Sequence, residues 1–424
     1  MRAECSFGYL EGLVNIPASK SMMQRACAAA LLNSGRTTIL NPGTSNDDKA
    51  ALSLIQQLGA EVIYEAGRII ITSKGIDPQT DVLHCGESGL SARLFIPIAA
   101  TCVQALQITG SGSLLTRPFD VYADVLPKLG VETHSNGGRL PLTIHGPLIP
   151  ADTTIDGSLS SQFLSGLLFS YAFSAKQACT ITVKDLHSKP YVDITLSVLE
   201  QFGRPITNSG YDTFIVDPSN FIETNNNEIT IEGDWSSAAA LLVGGAIAGD
   251  ITVDGIWEHS LQADNAIMDV LFETKTLLSF GEGWAGTCKP GALKPFTFDA
   301  TNAPDLFPVL SVLAACCEGE SEIKGIHRLI HKESNRIVSI SEMLDRLGVQ
   351  HSVADDSLFI EGVETLSSCT IDSYNDHRIV MAAAIAALRC DGKVVIEGAE
   401  AVSKSYPDFF THLQALGAHC ELKD

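Results

Sequence analysis

The chain has 424 residues, with 28 Lys and Arg against 50 Asp and Glu and a formal net charge of -22 at pH 7. This length is too great for one hydrophobic core and predicts two domains. The acidic balance argues against nucleic acid or an anionic membrane surface as a partner. The chain starts without the apolar stretch of a secretory signal, and the longest apolar run, residues 238–249, is too short to cross a bilayer.

The 11 cysteines are odd in number and include no Cys-x-x-Cys pair. This usage is typical of buried free thiols in a reducing compartment. Together with the missing signal, it predicts a cytoplasmic protein.

A helix-like segment that ends in Leu-Gly or Phe-Gly, followed by short alternating strands, recurs about every seventy residues. In the first copy, Leu52, Ile55 and Leu58 have helical spacing, Gly59 suits a left-handed helix end, and residues 60–72 read as a hairpin. The recurrence predicts an α/β (α+β) fold of mixed sheets covered by helices. The copy around Phe280 and Gly281 matches least well. The six pairs are Leu58–Gly59, Leu129–Gly130, Phe202–Gly203, Phe280–Gly281, Leu347–Gly348 and Leu416–Gly417.

Cations are scarce, and several lie in segments that interrupt this pattern. Around residues 16–26, Lys20 and Gln24 share one face of a predicted helix start, and Ser21 and Arg25 share the next. A helix N-terminus that carries two cations, a hydroxyl and an amide can bind an anion. A solvated first turn remains an alternative interpretation.

Three further segments of the first half have the same character. Gly86 and Gly89 form a Gly-rich turn before a helix, where bare amides can approach an anion. Arg117 follows a Ser-Gly-Ser turn, and residues 160–162 place two hydroxyls and an amide at a helix start. Ordinary strand-to-helix turns and an N-cap are the alternatives.

The second half supplies groups for proton transfer. Lys332 and Arg336 are four residues apart, and on a helix their charges repel unless an anion lies between them. Glu333, beside Lys332, is a candidate proton carrier. His327 and His331 also have a metal-ligand spacing, but no carboxylate or cysteine set accompanies them, so no metal site is predicted.

Taken in order, these segments resemble the enolpyruvyl transferases, and among them the 5-enolpyruvylshikimate-3-phosphate synthases. The resemblance covers nearly the whole chain, and its most diagnostic parts are residues 160–163 (Ser-Ser-Gln-Phe) and 188–193 (Ser-Lys-Pro-Tyr-Val-Asp). It implies a two-domain fold of six β-α-β-α-β-β repeats, three per domain, with the active site in the interdomain cleft. The implied domains are residues 15–228, and residues 1–14 with 229–424.

The resemblance implies transfer of the carboxyvinyl group of phosphoenolpyruvate to the 5-hydroxyl of shikimate 3-phosphate, with release of phosphate and without metal or cofactor. The implied catalytic residues are Asp305 as base, Glu333 as acid and Lys20 in a shared role. The implied contacts to shikimate 3-phosphate are Lys20, Ser21, Arg25, Ser160, Ser161, Gln162, Ser188, Asp305 and Lys332. The implied contacts to phosphoenolpyruvate are Lys20, Gly89, Arg117, Gln162, Arg336, Arg378 and Lys404. We expect a monomer.

Two positions depart from the family pattern in ways that bear on binding. Glu87 replaces an Asn close to the expected phosphoenolpyruvate site, where a carboxylate repels the substrate unless it is protonated, paired or turned away. Arg328 replaces an Asn on the shikimate side.

Two rival functions stay open. A UDP-N-acetylglucosamine enolpyruvyl transferase has the same fold, but that family carries a reactive Cys before its Arg-Pro, and residues 111–116 contain none. A non-catalytic anion-binding protein on this fold would not need both Asp305 and Glu333. The choice of acceptor in an assay separates these readings.

Overall fold

The computed structural model describes residues 1–158, 160–224, 226–289, 291–330 and 332–423. Within them the strands are β1 (Arg2–Ser6), β2 (Leu10–Asn15), β3 (Gly35–Leu40), β4 (Glu61–Glu65), β5 (Arg68–Ser73), β6 (Val82–His84), β7 (Ala105–Thr109), β8 (Glu132–Asn136), β9 (Arg139–His145), β10 (Thr153–Asp156), β11 (Cys179–Lys184), β12 (Thr207–Ser209), β13 (Thr213–Val216), β14 (Asn226–Thr230), β15 (Gly249–Asp254), β16 (Leu277–Gly281), β17 (Trp284–Cys288), β18 (Thr297–Asp299), β19 (Glu320–Lys324), β20 (His351–Ala354), β21 (Ser357–Glu361), β22 (Cys369–Asp372), β23 (Val394–Glu397) and β24 (His419–Lys423).

The α-helices of the described chain connect these strands. They are α1 (Lys20–Leu32), α2 (Asn46–Gln57), α3 (Gly89–Ala99), α4 (Asp120–Val125), α5 (Ser161–Ser174), α6 (Lys189–Gln201), α7 (Trp235–Ala248), α8 (Ile267–Glu273), α9 (Phe307–Ala315), α10 (Arg336–Arg346), α11 (His377–Ala386) and α12 (Phe409–Ala415). None of the described helices is long and apolar enough to cross a membrane.

The described strands form six four-stranded sheets of one design, each with one parallel and two antiparallel pairs. In the sheet β6-β7-β9-β8 the chain runs β6-α3-β7-α4-β8-β9, which is a β-α-β-α-β-β unit. The sheet β10-β11-β13-β12 is built in the same way. The mixed α/β class expected from the sequence is confirmed.

The chain divides into two compact units. The first unit comprises residues Ala18–Glu232, and the second comprises Met1–Pro17 with Gly233–Asp424. Three sheets need strands that are distant in sequence: β14 pairs with β3, β2 with β15, and β1 with β23 and β24. At the chain crossings, Ser19 N–H donates to Glu232 O in the first unit and Asp234 N–H donates to Pro17 O in the second.

Each unit has three inner helices, and their sequences show why they lie inside. In the first unit α1, α3 and α5 pack on one another, and in the second α7, α9 and α11 do so. Every residue of α3 and α9 is buried, and both are apolar nearly all round. By contrast α2 and α10 bury one face and expose the other, so they cover the sheets from outside.

Helix ends follow the local sequence in most copies. Ser45 and Asp48 form a capping box at the start of α2. Gly59 follows the end of that helix with φ 102°, and a Cβ added there would lie 2.6 Å from Asp77 O. The fourth copy corrects the prediction. Phe280 and Gly281 lie in strand β16, and the left-handed position after α8 belongs to Lys275, at φ 65°. The sequence carries no glycine there to indicate it.

The thiol prediction is wrong for two cysteines. Cys5 and Cys420 form a disulfide between β1 and β24, where they are directly opposed in the antiparallel register with Cα atoms 4.1 Å apart. The other nine cysteines are free, and most are buried. A sequence separation of 415 residues gave no local sign of this pair.

Candidate active site

The N-terminal turns of four helices come together in the first unit. Gln24 of α1 accepts hydrogen bonds from Ser88 and Ser91 at the start of α3, at 3.0 and 2.8 Å. Arg25 of α1 donates to Tyr191 O in the first turn of α6. Arg93 of α3 donates a hydrogen bond to the side chain of Gln162 in the first turn of α5. Helix N-termini carry partial positive charge, so their convergence favours anions.

Lys20, the first residue of α1, pairs with a carboxylate from the neighbouring helix. Its Nζ lies 3.1 Å from Oδ2 of Asp47, and both side chains are mostly buried. The sequence interpretation assigned no role to Asp47.

Arg25 is fully buried, and its guanidinium bonds neutral groups. Nε donates to Thr195 Oγ1 at 2.8 Å, Nη1 to Ser21 O at 2.7 Å, and Nη2 to Tyr191 O at 3.0 Å. Among the described residues no carboxylate pairs with it. Burial lowers the pKa of Arg25 to about 10, because the charged form loses water without gaining an opposite charge. An anionic ligand would supply that charge.

Gly89, Arg117 and Gln162 belong to one cluster held by Arg93. Arg93 lies between the rings of Phe119 and Phe163, with its guanidinium carbon 5.2 and 5.4 Å from their centres. Its Nη1 donates to Gln162 Oε1 at 3.1 Å, so the amide nitrogen of Gln162 remains the available donor.

A side chain at position 89 would displace its neighbours in this cluster. A Cβ at this position would lie 2.3 Å from Arg117 Nη1 and 3.0 Å from Arg93 Nη1. The glycine therefore lets two guanidinium groups approach the start of α3.

The serines predicted to hold phosphate lie at helix starts of the same unit. Ser160 caps α5 and accepts from Gln162 N at 3.3 Å, and Ser161 is buried beside it. Ser188 precedes α6 in a left-handed conformation, at φ 56°. Such backbone strain in a serine is uncommon and is found most often at functional sites.

Glu87, which departs from the family pattern, packs against the loop that precedes Arg117. A Cβ added at Gly112 would lie 2.2 Å from Glu87 Oε2. The carboxylate therefore lies against the glycine backbone of that loop.

The second unit joins four predicted site residues in one ionic network. Asp305 Oδ1 lies 3.2 Å from Lys332 Nζ and 2.8 Å from Arg336 Nη1, and Arg336 Nη2 donates to Glu333 Oε2 at 2.8 Å. Asp376 also belongs to this network, through Arg336. Its Oδ2 accepts from Arg336 Nε at 2.8 Å, and both side chains are fully buried.

Electrostatics in this network favour the ionised form of Asp305. Burial acts to raise the pKa of Asp305, but Lys332, Arg336 and Arg378 outweigh it and hold that pKa well below its ordinary value. Burial lowers the pKa of Lys332, and Asp305 partly offsets this. Arg328, the second departure from the family, lowers it further by its charge.

Arg378 has donors available toward the same site. Its Nη2 lies 3.7 Å from Asp305 Oδ2, and it is 5% exposed. Among the described atoms, Nε and Nη1 of Arg378 have no hydrogen-bond partner. Buried guanidinium donors without partners are costly, so this geometry is typical of a site that awaits an anion.

Lys404 is held by an unusual stretch of backbone. Its Nζ donates to Asn375 O at 2.7 Å, and both Tyr374 and Asn375 have left-handed backbones, at φ 51° and 54°. This conformation turns the Asn375 carbonyl toward the lysine just before Asp376.

The predicted residues therefore fall into two sets. The first unit contains Lys20, Ser21, Arg25, Gly89, Ser160, Ser161, Gln162 and Ser188 at helix starts, with Arg117 reaching the start of α3 at Gly89. The second unit joins Asp305, Lys332, Glu333, Arg336 and Arg378 directly, with Lys404 held beside Asp376. The described part of the chain contains no cluster suited to a metal ion. Of the histidine pair noted in the sequence, His327 contacts Asp356, and His331 lies outside the described residues.

Comparison with known proteins identifies relatives over nearly the whole chain. A family model described as EPSP synthase (3-phosphoshikimate 1-carboxyvinyltransferase) matches residues 6–413. The chain is similar to a 3-phosphoshikimate 1-carboxyvinyltransferase of Clostridium kluyveri, with 37% identity over 416 residues that cover 97% of this chain and 96% of that protein. A protein of the same description from Methanocorpusculum labreanum is 35% identical over 421 residues, with 99% of each chain covered.

Solved structures support the fold. An EPSP synthase from Acinetobacter baumannii matches all of both chains with a TM-score of 0.83 at 24% identity. The enolpyruvyl transferase NikO from Streptomyces tendae matches with a TM-score of 0.80 at 18% identity, covering 99% of this chain and 98% of that one. The expected fold family is confirmed, and with the matches above the chain belongs to the EPSP synthase family, the 3-phosphoshikimate 1-carboxyvinyltransferases of the shikimate pathway.

Proposed function

We propose that this chain transfers the carboxyvinyl group of phosphoenolpyruvate to the 5-hydroxyl of shikimate 3-phosphate, with both sets of residues acting on one pair of substrates. The observation that carries the proposal is the sharing of Arg336 by two carboxylates, Asp305 and Glu333. An anion-binding protein needs the guanidinium alone. A proton-transfer site needs a base and an acid held at fixed positions around the bound anion.

Asp305 acts as the base that removes the proton of the 5-hydroxyl. In the structure without substrate, three cations hold its pKa well below the ordinary value, which makes it a weak base. Bound phosphate and carboxylate groups compete for Lys332, Arg336 and Arg378. Their arrival weakens the hold on Asp305 and raises its pKa toward the range in which it accepts a proton.

Glu333 acts as the acid that protonates C3 of phosphoenolpyruvate. As C3 takes the proton, the 5-oxygen bonds to C2 and gives a tetrahedral adduct. The bond from C2 to the phosphate oxygen then breaks, phosphate leaves, and C3 returns one proton to the Glu333 carboxylate as the double bond is restored. Glu333 is held 2.8 Å from Arg336, which keeps its carboxyl group beside the bound donor. Lys20 shares the proton work from the first unit.

Shikimate 3-phosphate is held mainly by residues of the first unit. We assign its phosphate to Ser160, Ser161 and Ser188. The ring and carboxylate are assigned to Ser21, Arg25 and Lys332, with Lys20, Gln162 and Asp305 also in contact. The buried charge of Arg25 supports this, because among the described residues it has no carboxylate of its own.

Phosphoenolpyruvate is clamped by cations from both sets. We assign its contacts to Lys20, the Gly89 amide, Arg117, Gln162, Arg336, Arg378 and Lys404. Charge-assisted hydrogen bonds contribute about 1.5–3 kcal/mol each, so several of them suffice for micromolar binding after ordering costs. The two unpaired donors of Arg378 support this assignment most directly.

The enzyme uses no metal or organic cofactor, binds no nucleic acid, and acts as a cytoplasmic monomer. Its acidic overall charge supports the second of these.

Phosphate release from phosphoenolpyruvate tests the assignment. We expect release with shikimate 3-phosphate as acceptor and none with UDP-N-acetylglucosamine. Asp305→Asn and Glu333→Gln should each lower kcat by about 10²–10⁴. Release with the nucleotide sugar, or with neither acceptor, would contradict the proposal.

A further inference from the structure

An aromatic cavity lies in the second unit among groups to which the proposed mechanism gives no part. It has a volume of about 300 Å³ and is bounded by helix α8, the β16–β17 hairpin and the start of α7. This size is at the lower end of small-molecule sites. Trp235, Phe272, Phe280 and Trp284 contribute its aromatic walls.

The walls leave aromatic surface open to solvent. Phe272 of α8 and Phe280 of β16 are each 68% exposed. Trp235 is 4% exposed and forms the floor, fixed by a hydrogen bond from its Nε1 to Trp257 O at 3.4 Å. A rigid floor with open aromatic sides suits insertion of a flat ring.

The charged residues that line the cavity are both acidic. Glu258 and Asp269 line it, both are exposed, and within the described chain neither forms an ion pair or hydrogen bond with another side chain. No lysine or arginine of the described chain lines it. Outside the lining, Lys275 Nζ lies 5.4 Å from the ring centre of Phe272, so one of these rings already accepts a cation on its face.

We infer that this cavity is a second binding site, for a small aromatic compound that carries an ammonium group. The ring would enter between Trp284 and Phe280, and the ammonium would remain at the rim between Glu258 and Asp269. An aromatic carboxylate of the same shape would meet two like charges and bind more weakly.

The chain provides a direct readout of this site. It contains three tryptophans, Trp235, Trp257 and Trp284; two of them line the cavity and the third accepts the hydrogen bond from its floor. Selective tryptophan excitation therefore reports on this part of the molecule. Phenethylamine, which has no indole, serves as the probe, and 3-phenylpropionate serves as its anionic counterpart.

We expect phenethylamine to change the tryptophan emission of the full chain saturably, with a Kd of about 0.1–1 mM. The double variant Glu258→Gln/Asp269→Asn should weaken it about three- to tenfold. Phe280→Ala, at an exposed position that the fold does not depend on, should weaken it at least as much. Glu273→Gln, on the same helix but outside the lining, is the matched control and should bind as the wild type.

Three results would overturn the inference. One is equal or tighter binding of 3-phenylpropionate, and another is an unchanged Kd in the double variant. The third is a concentration-dependent dimer, seen by sedimentation, whose dissociation alone accounts for the emission change. None of these results bears on carboxyvinyl transfer, since the readout is ligand binding and not activity.

Discussion

Replacing Asp376 with Asn should destabilise the second unit severely, although the two side chains have the same shape. Asp376 is fully buried at the start of α11, where Oδ1 accepts from Arg378 N at 2.9 Å. Its Oδ2 accepts from Arg336 Nε at 2.8 Å and from Ser334 Oγ at 3.0 Å. An Asn that keeps its oxygen on the backbone N–H turns an NH₂ donor toward the Arg336 Nε–H donor.

The magnitude follows from the burial of both partners. Removing one member of a buried ion pair costs about 3–5 kcal/mol, because the other charge is left poorly compensated. Asp305 and Glu333 still contact Arg336, which keeps the expected loss at about 3–4 kcal/mol within that range. Asn caps helices as well as Asp does, so the cap contributes little to the difference.

Urea unfolding, followed by circular dichroism, measures this free energy. Asp408→Asn is the matched control, since Asp408 also stands at the start of a helix, is exposed, and makes no side-chain cap bond. Its substitution should change stability by less than about 0.5 kcal/mol. A loss below about 1 kcal/mol for Asp376→Asn would show that Arg336 does not depend on this carboxylate, and would refute the reasoning.

Three further changes have expected outcomes. Gly89→Ala should raise the KM for phosphoenolpyruvate about 10-fold or more, because the new Cβ would lie 2.3 Å from Arg117 Nη1. Gly291→Ala is the control and should leave this KM unchanged, because no atom lies within 4 Å of its new Cβ. Cys5→Ser should lower the free energy of unfolding by about 2–5 kcal/mol, because it removes the disulfide. It should also abolish any effect of reductant on the melting temperature, and a reductant effect as large as in the wild type would contradict the disulfide. Burial, followed by the charge of Asp305, raises the pKa of Asp264 from 3.8 to about 7, so the folded state binds the proton more tightly. Stability should therefore fall as pH rises from about 4 to about 7, and Asp264→Asn should flatten this part of the urea-derived profile; an identical slope in both proteins would show that another group is responsible.

Much of the architecture could be predicted because the chain repeats one local pattern. Leu52, Ile55 and Leu58 with Gly59 indicate a helix, its end and a following hairpin, and the structure has these elements in that order. The prediction failed at Phe280–Gly281, where Lys275 takes the left-handed position. The surrounding fold there overrides the ordinary preference of a lysine for negative φ, and a single sequence does not show that fold.

The site was predictable to a different degree. The residues that carry the family motifs could be named, but the groups that hold them could not. Asp47 and Asp376 are examples, since each becomes important only when folding brings it against Lys20 or Arg336. The chain between Arg336 and Asp376 includes helix α10 and strands β20, β21 and β22, so no local spacing indicates the pair.

The strands with which β1 and β2 pair set an order on folding during synthesis. The first unit ends at Glu232 and contains all of its own strands, so it can complete its sheets while the ribosome is still translating the rest. Strand β1, near the start of the chain, has no such opportunity. Strand β1 lies between β23 and β24 and must wait, unpaired, until the last part of the message has been read.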